Sequence, residues 1–325
     1  MNSKSVTIRD VAEAAGVSAM TVTRVFRNEC CVSDQTRQRV LENAGKLNYR
    51  PNSSARALRG SATRTIGIIA SNVGFISQAM RYISIHLMPE EYITCLIDSL
   101  GDSKIVHSGL AEISARRMDA LIMEYRLDYG DLTELISGQR NPVIFCFHQN
   151  LEIEADFCYI DLRAAYRQAI KYLLKSGRKH IYKLGQSLYF FRDVFKEFGI
   201  EQNWLNTSKT PSSPNYRNHV ELFIDFIENG GKIDAVFCEN DLAAAQIIVY
   251  LNSKKIQVPG DIAVIGMSNK ALSQYLSPAL ATIDAKEQLL GSTLLKMTEN
   301  RLKNPDSPFR KAVITPEFIL RDSAI

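Results

Sequence analysis

No run of about 18 apolar residues occurs anywhere in the 325-residue chain, so a membrane-spanning helix is not encoded. The opening stretch MNSKSVTIRDVAEAAG lacks the apolar centre of a secretory signal, because Arg9, Asp10 and Glu13 stand where it would have to be. Six cysteines (Cys30, Cys31, Cys95, Cys146, Cys158, Cys238) form no C-x-x-C pair, and five scattered histidines have no metal-ligand spacing, so neither a zinc site nor a disulfide framework is indicated. Catalytic signatures are missing as well: there is no G-x-S-x-G, no G-x-G-x-x-G after a strand, no Walker loop and no H-E-x-x-H. These absences lead us to expect a reduced cytoplasmic protein that is not an enzyme, holds no metal or cofactor and has no membrane partner.

What is present is ordinary in bulk and uneven in detail. Hydrophobic residues make up 46% and charged residues 23%, which excludes a disordered or collagen-like chain, and the length allows about two or three domains. Residues 1–64 carry 11 Lys and Arg against 5 Asp and Glu, whereas the remainder carries 28 against 30. A basic first fifth on a near-neutral bulk suggests an anionic partner for that fifth or, more blandly, a solvated basic face.

Thr7 and Asp10 are spaced as a capping box, which predicts a helix with Val11, Ala14 and Ala15 as its apolar stripe and Gly16 as its left-handed stop. Ser18 then caps a second helix, Ala19 to Phe26, with Val22, Val25 and Phe26 inward and Ala19, Met20, Thr21, Thr23 and Arg24 outward. Ser33 opens a third helix, whose Val40, Leu41, Ala44 and Leu47 close a small core. Two short helices around Ala15-Gly16-Val17 form a helix-turn-helix, and short outward residues followed by Arg24 suit the major groove. A plain three-helix bundle with a polar face fits the same pattern.

The run TIRDVAEAAGVSAMTVTRVFRN, then VSDQTRQRVLENAGKLNYRPNSSARALRG, then TIGII resembles the lactose/galactose repressor family over about 65 positions. GRKHI, AVFCENDLAAA, VPGDIAVIGM, SPALATI and TPEFILRDS extend the resemblance over nearly the whole chain. It implies an all-α helix-turn-helix headpiece over residues 1–50, a hinge over 51–63, and an effector-binding and dimerisation domain over 64–325. The last is implied to be an α/β core of periplasmic-binding-protein type, with two parallel-sheet subdomains and crossings near residues 160 and 285. The residues agree. TIGIIAS, YITCLID, ALIME, PVIFCF, FCYIDL, HIYKLG, AVFCEN and IAVIGM read as buried strands, alternating with helical stretches such as Ala164–Ser176, Asn218–Asn229 and Leu242–Lys254.

The resemblance also assigns roles. The DNA-contacting set is Thr7, Ser18, Ala19, Met20, Thr21, Thr23 and Arg24 in the head, with Asn52, Arg56 and Leu58 in the hinge. Hinge helices of a homodimer would form on an operator of roughly palindromic sequence, with Leu58 wedged into the minor groove and Arg56 at a phosphate or in that groove. Packing of Leu58 on the large domain is the alternative. Effector ligands bind such sheets at the carboxyl ends of strands, which selects Phe75, His148, Arg192 and Asp241; Asp241 would accept ligand hydroxyls or cap the following helix. Asn72-Val73-Gly74-Phe75 and Ser268-Asn269 depart from the family's usual turns, and the loop carrying Arg192 is short. The reading helix VSAMTVTR is similar to those of gluconate-type repressors, which hints at a sugar or sugar-acid effector. The competing functions are a regulator with a degenerate pocket controlled by a protein partner and a cytosolic ligand-binding protein without specific DNA binding.

Overall fold

A computed structural model describes residues 6–26, 30–49, 62–71, 73–125, 129, 136, 139, 141–147, 154–185, 189–200, 204–205 and 218–325. The chain divides into two units, Met1–Thr63 and Arg64–Ile325. Among the described residues no helix is long and apolar enough to cross a membrane.

The small unit holds three helices: α1 (Ile8–Ala15), α2 (Ala19–Phe26) and α3 (Asp34–Lys46). The Asp10 carboxylate starts α1 by accepting from the Thr7 amide at 2.6 Å and its hydroxyl at 2.7 Å. Gly16 ends it at φ 63°, a left-handed value that costs a residue without Cβ little. Ser33 caps α3 by accepting the Thr36 amide. Val11, Ala12, Ala15, Val22, Val25, Val40 and Ala44 fill the centre. Two sequence expectations need correction. Ala12, not Ala14, lies on the buried stripe of α1, because Ile8, Val11, Ala12 and Ala15 are the positions at helical i, i+3, i+4, i+7 spacing. Leu41 is 48% exposed, one position round the helix from the inward Val40 and Ala44.

The large unit is α/β. Its first half runs β1 (Thr65–Ala70), α4 (Val73–Leu87), β2 (Ile93–Asp98), α5 (Ser103–Ala115), β3 (Ala120–Glu124), β4 (Val143–Phe147) and β5 (Asp156–Ile160). The second continues α6 (Leu162–Lys175), β6 (Ile181–Leu184), α7 (Tyr189–Glu197), β7 (Trp204–Leu205), α8 (His219–Glu228), β8 (Ala235–Phe237), α9 (Asp241–Ser253), β9 (Ala263–Met267) and β10 (Ala281–Asp284). The chain closes with α10 (Glu287–Lys303), β11 (Lys311–Ile314) and β12 (Glu317–Ile319). One six-stranded sheet has the order β11-β5-β4-β3-β1-β2 and the other β12-β10-β9-β8-β6-β7. The first is wholly parallel; in the second only β12 runs antiparallel, beside β10.

The chain passes between sheets at Asp161, at Ala285 and, with no counterpart in the sequence reading, at Thr315-Pro316. Parallel strands need long return connections, and helices that cover both faces supply them. β2 is an exception among the strands read as buried: at the sheet edge it leaves Ile93 and Leu96 exposed.

Two contacts fix α10, the helix that joins the halves. At its end Arg301 Nε donates to Asp156 Oδ2 at 2.7 Å, while the Arg310 amide donates to Asp156 Oδ1 at 2.9 Å. This buried pair holds the end of α10 and the approach to β11 against the first residue of β5. In its first half Gly291 meets α4, where a Cβ would come within 2.7 Å of the Ala79 carbonyl oxygen and 2.9 Å of its Cα. Backbone cannot rotate away as a side chain does. Gly291→Ala is therefore expected to lower the stability of the large unit by about 1–3 kcal/mol through overpacking, measured as a lower urea midpoint; an unchanged midpoint would mean the two helices slide apart freely.

Candidate nucleic-acid interface and ligand site

In α2 the Ser18 oxygen accepts the Thr21 amide at 3.1 Å, and the Thr21 hydroxyl lies 3.0 Å from that same oxygen. The Thr23 hydroxyl turns back to the Ala19 carbonyl at 2.9 Å. These local bonds fix the rotamers of both threonines, so their methyl groups have settled positions. Met20, 62% exposed, and Arg24 stand one turn apart and share a face, whereas Val22 and Val25 are buried on the other. Ser18 and Thr7 are exposed at the N-termini of α2 and α1, and Ala19, Thr21 and Thr23 are half-buried. A short helix with one long cation and small methyl-bearing neighbours is chemically suited to base edges. Asn52, Arg56 and Leu58 lie outside the described residues.

In the large unit the carboxyl ends of the parallel strands gather at one edge of each sheet. Of the four ligand residues expected from the sequence, His148 lies outside the described residues and Phe75 is placed only as a position in α4. Arg192 stands on the exposed side of α7, the helix that follows β6. Asp241 is the first residue of α9 and has no exposed surface.

Asp241 needs two corrections. It does not cap α9; Asn240 does, accepting the Ala243 amide at 2.8 Å. Nor does its carboxylate stand open, for Oδ1 accepts the Thr282 hydroxyl at 2.6 Å and Oδ2 the Lys270 amide at 2.6 Å. Burial pushes the carboxyl above its ordinary range, against the pull of those donors. Gly266 leaves room for it, because a Cβ there would collide with Asp241 Oδ1. Asp241 thus fixes the turn after β9, and a ligand would sense it through that turn.

The same turn carries consecutive left-handed residues, Ser268 at φ 95° and Asn269 at φ 48°. Strain of this kind persists where surrounding bonds over-determine it. Here the Ser268 amide donates to the Ile283 carbonyl at 2.8 Å and Arg321 donates to the Asn269 side-chain oxygen at 2.7 Å. Lys270, next along, reaches the other half: its ammonium donates to Glu287 at 2.7 and 2.9 Å and to the Ser77 hydroxyl of α4 at 2.9 Å.

Sequence reasoning missed three residues at this edge. Lys183 in β6 is only 3% exposed, and burial pushes its ammonium down to about 8. Glu239, directly after Cys238 at the end of β8, lies with Oε2 2.7 Å from Nδ1 of the buried His219, which opens α8. The hydrogen bond and charge of His219, with a further pull from Lys183, hold Glu239 below its usual range despite burial. The signal was available: a lysine inside the apolar run HIYKLG has no place in a strand buried on both faces unless its charge is used. On the first sheet's edge, Glu124 accepts the Ser71 amide at 2.7 Å. Among the described residues no group of His, Cys, Asp and Glu could hold a metal ion.

Known proteins match this arrangement along the whole chain. Residues 7–52 fit the family model of bacterial regulatory proteins, lacI family, and residues 163–324 fit that of a periplasmic binding protein-like domain. The ribose operon repressor of Haemophilus influenzae is 26% identical, and the HTH-type transcriptional repressor PurR of Aliivibrio fischeri 28%, each over 98% of both chains. The crystal structure of the lac repressor dimer bound to operator and the anti-inducer ONPF has a TM-score of 0.79 at 20% identity, covering 99% of this chain and 100% of that one, which speaks for the fold. The relatives are transcriptional regulators, not enzymes. The chain thus joins a lacI-family helix-turn-helix domain, residues 7–52, to an α/β core of two parallel-type sheets in which residues 163–324 form a periplasmic-binding-protein-like domain.

Proposed function

We propose that the protein is a cytoplasmic transcriptional repressor that binds a roughly palindromic DNA operator as a homodimer and answers to a small-molecule effector of the sugar or sugar-acid class. The face of α2 carries the reading: Met20 and Arg24 stand out from a capped helix whose neighbours are small and hydroxyl-bearing. Arg24 suits guanine O6 and N7, while Ala19, Thr21 and Thr23 suit thymine methyls. Thr7 and Ser18, at helix N-termini, would position the head on phosphates. In the hinge, Asn52 and Arg56 would contact the backbone or minor groove and Leu58 would pry open the central step, at a deformation cost of a few kcal/mol offset by added contacts.

Two apolar faces support dimerisation through the large unit. One joins Ile85 and Met88 around the end of α4 to Ile93 and Leu96 of the edge strand β2; the other is Leu242 and Val249 on α9. Exposed apolar groups that recur along one edge and one helix call for a partner surface. An effector in the cleft, contacted by residues following the strands, Phe75, His148 and Arg192 among them, would act through its different affinity for two arrangements of the sheets.

Selection of bound sequences from random duplex DNA should enrich a palindrome, and one member of a panel of sugars and sugar acids should abolish or sharpen that enrichment; failure to enrich any sequence would overturn the repressor reading. Arg24→Ala is expected to cost about 1–3 kcal/mol of operator discrimination at unchanged sedimentation mass. Met88→Asp should shift the sedimenting species from dimer to monomer and weaken operator binding together with it. Asp241→Ala removes the acceptor for Thr282 and Lys270, so it should destabilise the large unit by about 1–3 kcal/mol and blunt the effector response while operator selectivity persists. A full response in that variant would separate the turn after β9 from effector sensing.

A further inference from the structure

Lys183 is the charged residue least explained by the fold. Strand alternation puts it on the face of β6 shared with Ile181, which packs in the same cluster as Phe191, Phe195 and Phe237. There its ammonium bends toward the carboxyl end of the strand and donates to the Leu184 carbonyl. Among the described residues no carboxylate lies within ion-pair distance of it. A buried ammonium whose other protons find no such acceptor is expensive to keep, and the strand would pack better with an apolar residue.

Gly185, at φ 95°, separates Lys183 from Glu239: a Cβ there would stand 3.6 Å from the Lys183 ammonium, 2.9 Å from the Glu239 Cβ and 3.1 Å from its Oε2. His219 anchors that carboxylate at 2.7 Å, yet its side chain keeps about 31% of its surface exposed. All three groups stand at the carboxyl edge, on the residues closing β6, following β8 and opening α8.

We infer that Lys183 and Glu239 together select an effector that is both anionic and hydroxylated, with its carboxylate or phosphate on the Lys183 ammonium and a neighbouring hydroxyl donating to Glu239. The juxtaposition disfavours either half alone. A bare anion would meet the Glu239 carboxylate at short range, and a neutral sugar would leave the ammonium with no counter-charge nearer than Glu239 across Gly185. A hydroxy acid or sugar phosphate places a hydroxylated carbon between the two, which turns the repulsion into a hydrogen bond. This rests on the reading of the cleft as an effector site and names the class that fits it.

The test is titration calorimetry of the full chain with acids and their neutral parents: gluconate, glucuronate and glucose 6-phosphate against glucose, ribonate and ribose 5-phosphate against ribose. At least one acid is expected to bind tenfold or more tightly than its parent. Lys183→Met, close in volume and uncharged, should erase that preference while keeping the circular dichroism spectrum and operator binding, and Lys183→Arg should retain part of it. Glu239→Gln should weaken the hydroxylated acids. No acid preferred over its parent, or a preference that survives Lys183→Met, would overturn the inference. Operator binding released by a neutral sugar or a nucleobase would overturn it too, yet leave the regulator standing. Acid preference in a protein that binds no DNA would do the reverse.

Discussion

The carboxylate of Glu287 joins parts of the chain that lie 209 residues apart in sequence: it accepts the Gln78 amide of α4 at 2.9 Å and both of its oxygens receive the Lys270 ammonium. It stands at the first position of α10, 3% exposed, just after the chain has left the second sheet. Burial pushes its carboxyl upward, and Lys270 and the Gln78 amide oppose that shift by bonding the charged form. Such a pair adds little to net stability once desolvation is counted, yet loss of one partner is costly. Its contribution is positional. Asp241 holds the Lys270 amide, Lys270 holds Glu287 and Ser77, and Glu287 holds Gln78, so the turn after β9 and the helix after β1 are linked through consecutive short bonds. A ligand that displaces the turn by a fraction of an ångström must stretch these bonds or move α4.

Parallel pairing decides where such a turn can be. Every strand of the first sheet, and all but β12 in the second, delivers its carboxyl end to one edge of its sheet, so the loops that follow these strands are concentrated there. The unusual backbone collects at this edge as well. Ser268 and Asn269 each hold a left-handed conformation that costs a non-glycine residue on the order of 1–3 kcal/mol. Asparagine tolerates it better than most. Neither residue of this Ser268-Asn269 turn carries a charge, and Asp241, the carboxylate that holds it, is covered.

Much of the fold was legible because its signals are local. Thr7, Ser18 and Ser33 are caps whose bonds run three residues ahead, so the three head helices could be placed almost to the residue. Runs such as AVFCEN and IAVIGM are apolar without alternation, which only strands covered on both faces tolerate. The errors arose where position in the sheet or a distant partner decides the outcome. YITCLID reads like the other strands but lies at an edge; Lys311–Ile314 and Glu317–Ile319 are too short to announce themselves, and with them goes the third crossing. Asp241 has the composition of a ligand contact, and only Thr282 and Lys270, 41 and 29 residues away, reveal that it is already satisfied. Lys183 was passed over because the surrounding apolar residues define the strand so strongly.

Operator recognition by one head is weak in principle. A single short reading helix presents about three or four side chains to base edges, and each good bidentate contact discriminates by about 1–3 kcal/mol. A specific regulator must exceed its own non-specific binding by about 4–10 kcal/mol. A lone copy of α2, with one arginine and several methyl-bearing neighbours on its outward face, falls at the lower end of that range. Two copies held at a fixed spacing double the discriminating contacts, and the second binds at the effective concentration set by the first. The apolar faces on α4, β2 and α9 therefore stand upstream of DNA reading in the proposed mechanism. Because α4 also carries Ser77 and Gln78, the bonds through Lys270 and Glu287 link the turn after β9 to the helix that would set the spacing of the two heads.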